Sequence, residues 1–201
     1  MRADIRYLYG GAISCMIPHH YEDLSNVLPL PDHQEVFVRH INRTEGSTRS
    51  TTSCESDCVL SFEILDYVED REDRDIARAT LTYRYLFDDL VACNEATYSS
   101  MHTWNVSDLS KSLGVANHKA IFVTGSMNVA KGHRQYKEKE RPISALLYVL
   151  RLPDYRSDIL VTYNFPLDEN SIDYKNELTL FEEIVSSLVI LDTNLFLHNH
   201  V

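Results

Sequence analysis

The sequence has little of what would tie a protein to a membrane, a nucleic acid or an oxidising compartment. No apolar run is long enough to cross a bilayer; the most apolar stretch, residues 145–150, is soon broken by Arg151, Pro153 and Asp154. Lysine and arginine number 19 against 30 aspartates and glutamates, and a net charge of −11 leaves no basic footprint for phosphates. Cysteine occurs at Cys15, Cys54, Cys58 and Cys93 only. The opening Met1-Arg-Ala-Asp-Ile-Arg-Tyr7 carries charge where a secretory leader would be apolar, so thiols in a reducing compartment are expected. Glycine and proline, six each, are too sparse for a collagenous or low-complexity chain. Two chemical signatures are also missing: the Gly-x-x-x-x-Gly-Lys-Ser/Thr phosphate loop and the Gly-x-Ser-x-Gly nucleophile elbow.

What is present reads as one globular domain over residues 1–201. At 44% hydrophobic and 24% charged residues, the chain is long enough to bury a core without disulfides or a metal. Alternation from Tyr7 to Ile17 predicts a first strand, with a bulge or close approach at Gly10-Gly11. A connector through Pro29 and Pro31 leads to a second strand at Glu35–Arg39. The segment Arg39–Thr51, polar and aperiodic, predicts a flexible loop, and residues 197–201 a loose tail. Thr52 with Glu55 makes a candidate capping box, after which Cys58, Phe62 and Leu65 recur at helical spacing. A second amphipathic helix is marked by Ile76, Thr80, Tyr83, Phe87 and Leu90.

Strand patterning returns over residues 97–106 and 121–129, followed by a basic connection at 131–141. Residues 145–151 and 159–165 predict a hairpin closed through Leu152-Pro-Asp-Tyr-Arg-Ser-Asp158. Thr179 with Glu182 suggests a second capping box, and Phe181, Ile184, Val185 and Leu188 give the stripe of a packed terminal helix. Strands in groups with helices between them predict an α+β fold around a largely antiparallel central sheet flanked by helices.

Chemical candidates are sparse. Cys54 and Cys58 could supply half a zinc site, but no second pair stands at a convincing spacing, so no metal is expected. His19-His20 and His198-Asn-His200 fall in segments that read as loose. The acidic run from Glu63 to Asp75 reads as a solvated face. Asp88 and Asp89, after the aromatics of Tyr85-Leu-Phe87, read as an exposed helical pair. Asp32 and Glu35 present two carboxylates from backbone stiffened by Pro29 and Pro31; spacing alone favours a turn cap at Asp32 and a strand-edge charge at Glu35 over a binding pair.

Two distant blocks resolve that choice. Leu8-Tyr-Gly-Gly-Ala-Ile-Ser14 with Pro31-Asp-His-Gln-Glu-Val-Phe-Val38, and Leu150-Arg-Leu-Pro-Asp-Tyr-Arg-Ser-Asp-Ile-Leu-Val161, together resemble the Ran guanine-nucleotide release factor family, also called the Mog family. The second block continues to Leu191-Asp-Thr-Asn-Leu-Phe196, and between the blocks a weaker likeness rests on Tyr85–Leu90 and Gly125-Ser-Met-Asn-Val-Ala-Lys131. The resemblance implies a PsbP-like α+β fold, binding to the GTPase Ran, promotion of nucleotide release without bond chemistry or a cofactor, and a place in nuclear import in nucleus and cytoplasm. It implies Ran contacts at Asp32, Gln34 and Glu35, with Asp88 and Asp89 as further candidates. Two alternatives stand beside it: an acidic adaptor of nuclear transport without release activity, and a small hydrolase using Cys15 or Cys93 with a histidine brought near by the fold.

Overall fold

A computed structural model describes residues 3–25, 27–41, 57–67, 76–106, 113–129, 141–167 and 173–196. Its elements are β1 (Ala3–Leu8), β2 (Ile13–Pro18), β3 (Glu22–Asp23), β4 (Gln34–His40), β5 (Asp57–Asp66), α1 (Ile76–Cys93), β6 (Tyr98–Val106), β7 (Lys119–Val129), β8 (Arg141–Leu152), β9 (Ser157–Pro166), α2 (Tyr174–Ser186) and β10 (Val189–Ile190). Seven strands form one sheet in the order β3-β4-β5-β9-β8-β7-β6, and β1-β2-β10 form a second, smaller one. Every described pairing is antiparallel, as short connections such as that between β8 and β9 require. The architecture is α+β.

The large sheet is apolar on both faces, and alternation along its strands divides the core in two. Leu146, Tyr148 and Leu150 of β8, Val161, Tyr163 and Phe165 of β9, and Leu60 and Phe62 of β5 face α2 and the small sheet. Leu147 and Val149 of β8 and Ile121 and Val123 of β7 face Tyr83, Leu86 and Phe87 of α1. On this second face Gly125 of β7 lies under Phe87, where a Cβ would overlap the ring.

Four expectations change. Residues 57–66 are strand, not helix: Cys58, Leu60, Phe62 and Ile64 are buried at period two, and β5 pairs with β4 on one side and β9 on the other. The first strand is a hairpin, because Tyr9, Gly10 and Gly11 all take positive φ (52°, 66° and 100°) and reverse the chain. The parity of the alternation therefore flips, leaving Tyr7 exposed while Ile13, Cys15 and Ile17 are buried. The terminal helix starts at Tyr174, where the Asp173 carboxylate accepts the backbone N–H of Lys175 at 3.0 Å. Thr179 is thus interior, but the stripe of Phe181, Ile184, Val185 and Leu188 is buried as expected. β4 runs on to His40, one residue past the expected end at Arg39 and into the segment expected as loop. The rest of that loop, the Thr52–Glu55 capping box, Cys54, Glu69–Asp75, Ile76 and Thr80 side chains, residues 130–140, and the tail with His198 and His200 lie outside the described residues.

Candidate partner-binding site

The two N-terminal motifs meet in space. Three successive left-handed residues are unfavourable for Tyr9, which unlike glycine carries a Cβ, at a cost of about 1–3 kcal/mol. The turn is held by its contacts with β4. The backbone N–H of Tyr9 donates to Oε1 of Glu35, and its phenol donates to the carbonyl of His33 at 3.3 Å. The approach to β4 is closed by Gln34 N–H to the Pro31 carbonyl at 2.9 Å, and Ile64 N–H to the His33 carbonyl, also 2.9 Å, extends its pairing with β5. Opposite Gln34 stands Glu63, and the Gln34 amide donates to Glu63 Oε1 at 2.5 Å.

Asp32 projects from the turn before β4 and is exposed, whereas Gln34 and Glu35 are half-buried. Burial pushes the Glu35 carboxyl above its usual range, opposed by the Tyr9 N–H and reinforced by the charge of Asp23. The Tyr9 phenol is pushed up for the same reason, burial first and then the charges of Glu35 and Glu63. Asp23 thus acts on Glu35, and Glu63, on the opposite face of the paired strands, acts on Tyr9; with Asp32 just before β4 they give an acidic corner at the start of that strand, and none of the four has an ion-pair partner among the described residues. Asp23 and Glu63 were not singled out for this role by sequence, since only strand register and the turn bring them there.

Asp88 and Asp89 lie elsewhere. Both are exposed on α1, and Asp88 pairs with Arg84 one turn away at 3.7 Å. Between β4 and β7, the strand beneath α1, lie four strand spacings, or roughly 19 Å. Glu35 shares the face of β4 that carries Phe37, within the core on the α2 side, while α1 packs on the other side. The five candidate residues therefore form two separate groups.

The second sequence block is structural. Arg151 and Asp158, one residue inside the ends of the β8–β9 hairpin, are 3% and 1% exposed and are joined by a 3.2 Å hydrogen bond; the guanidinium also covers the Tyr67 ring at 4.1 Å. Pro153-Asp-Tyr155 forms one 3-10 turn, closed by Arg156 in the left-handed region. A second buried network was not foreseen at all. Arg39 of β4 meets Glu177 of α2 at 2.7 Å and Tyr163 Oη and Cys58 Sγ at 3.0 Å each. Tyr163 donates to Glu177 at 2.5 Å and accepts from Tyr21 at 2.9 Å.

The cysteines are not paired with histidine among the described residues. The Cys15 thiol, pushed up to about 12 by burial, donates to the Ile184 carbonyl at 3.2 Å and lies 3.4 Å from Ser187 Oγ. Cys58 is buried and Cys93 exposed, and no group of three or more potential metal ligands occurs among the described residues.

The fold and this corner place the chain among small antiparallel α+β proteins with an acidic edge. Residues 6–166 match the family described as "Ran-interacting Mog1 protein", and the chain belongs to that family. It is 31% identical to the Ran guanine nucleotide release factor of Bos taurus over 94% of each chain. It is 25% identical to nuclear import protein MOG1 of Saccharomyces cerevisiae, over 94% of this chain and 83% of the yeast protein. The crystal structure of the Saccharomyces cerevisiae Ran-binding protein Mog1p superposes with a TM-score of 0.66 at 19% identity, covering 98% of this chain and 99% of that one.

Proposed function

We propose that the chain binds the small GTPase Ran through the acidic corner of Asp32 and Glu35 and promotes release of its guanine nucleotide, in support of nuclear import and in both nucleus and cytoplasm. Relatives named for Ran guanine nucleotide release support the reading. The observation that carries it is the clamp of Tyr9 on Glu35: one carboxylate oxygen is held by backbone, so little side-chain entropy remains to be lost when a basic group engages the other. Gln34 supports the corner by its bond to Glu63, and Asp32 offers an exposed charge beside it. Asp88 and Asp89, on the far face of the sheet, act in this reading as a separate and weaker contact.

No bond is made or broken in such a mechanism. A protein that prefers nucleotide-poor Ran must, by linkage, be displaced by nucleotide to the same degree that it displaces nucleotide. The test is release of a fluorescent guanine nucleotide from purified Ran. The chain should accelerate release, and Asp32→Lys should remove the acceleration while Asp88→Lys only reduces it. Tight binding with an unchanged release rate would favour an acidic adaptor instead.

A further inference from the structure

We infer that the outer face of the β1–β2 hairpin is the apolar half of the same Ran interface, with Ile5, Tyr7 and Met16 as its anchors; this rests on the function proposed above. Most exposed apolar side chains of the molecule are scattered, as is ordinary for a surface. These three are contiguous. Register sets Ile5 directly opposite Met16, and Tyr7 follows Ile5 on the same face; they are 61%, 47% and 67% exposed. The inner face of the hairpin, by contrast, buries Leu8, Ile13, Cys15 and Ile17. β1 is also the outermost strand of its sheet; the charges of Asp4 and Arg6 fall on its other face, so none interrupts the apolar stripe.

The occupant follows from what borders the stripe. Tyr7 stands two residues, about 7 Å, before Tyr9, whose backbone holds Glu35 and whose phenol reaches the His33 carbonyl beside Asp32. An apolar strip thus runs directly into an acidic corner, which is the layout of an interface with an aromatic and aliphatic centre and a charged rim. The complementary surface carries basic side chains next to an apolar patch, and one partner covers both halves.

The two halves differ in kinetics, so binding of the full chain to purified nucleotide-free Ran separates them. Tyr7→Ala, and Ile5→Ser with Met16→Ser, should dissociate roughly tenfold faster or more, with the association rate and its salt dependence unchanged. Asp32→Lys should instead slow association and flatten its salt dependence. Tyr7→Phe, which keeps the ring, should bind as wild type, and unchanged melting of the stripe variants shows that they are folded. Wild-type affinity in the stripe variants, beside a loss in Asp32→Lys, would overturn the inference and leave the acidic corner standing. Failure of the wild-type chain to bind Ran would overturn both.

Discussion

Asp32 and Glu35 stand three positions apart, yet their substitution should have different consequences. Asp32 is exposed and makes no hydrogen bond within the described residues, so Asp32→Lys should leave stability within about 0.5 kcal/mol while weakening Ran binding through slower association. Glu35 accepts the N–H of a left-handed tyrosine, and Glu35→Lys removes that acceptor from a half-buried site. A cost of about 1–3 kcal/mol is expected in addition to weakened binding, read as a lower denaturation midpoint in Glu35→Lys but not in Asp32→Lys. Sequence pointed to the pair and treated both as surface charges; burial of Glu35 depends on a turn 26 residues away, which no local pattern contains. The same burial gives Glu35 a pH signature. With its folded pKa above the unfolded value of about 4.3, the native state holds the proton longer, so this group's contribution to stability falls as pH rises through that window. Wild type should lose more stability than Glu35→Gln on going from about pH 4 to neutrality. Binding of a cation needs the ionised carboxylate and should fall in the opposite direction, at a pH above the ordinary glutamate range.

Among the elements, β4 and α2 are joined by charge as well as by packing. The Arg39 and Glu177 side chains are 19% and 9% exposed, so each depends on the other for compensation. Arg39→Met alone leaves a carboxylate enclosed with Tyr163, and should destabilise by about 3–5 kcal/mol in chemical denaturation. Arg39→Met with Glu177→Leu should recover most of that loss, because the desolvation penalty disappears with the second charge. If the double variant were no more stable than the single, the pair would not be the source of the cost. Strand β4 was legible from Val36, Phe37 and Val38, and α2 from its apolar stripe. Their ionic link was not, since Arg39 read as the boundary between a strand and a loop and Glu177 preceded the expected helix start. The misreading of β5 has a related cause: a central strand lined on both faces has apolar residues at enough spacings to match two periods at once.

At the scale of the whole molecule, a net charge of −11 makes long-range steering the default for a basic partner. Association with Ran should therefore slow as ionic strength rises, and a rate flat with salt in stopped-flow mixing would confine the acidity to solubility. Asp88 and Asp89 contribute to this field from the far face of the sheet even without touching the partner.

The amino-acid sequence by itself determined the class of fold, the position of most strands along the chain, the buried stripe of α2 and the motif that holds Asp32 and Glu35. Each of these depends on side-chain periodicity or on residues close in the chain. Tertiary structure alone decided that the first motif is a hairpin turn, that this turn clamps Glu35, that Asp23 and Glu63 join the corner, and that Asp88 and Asp89 do not. Those outcomes depend on the register of paired strands and on which face of the sheet each element covers. Register and face are properties of contacts between distant segments, and they are settled only when the strands pair and the core closes.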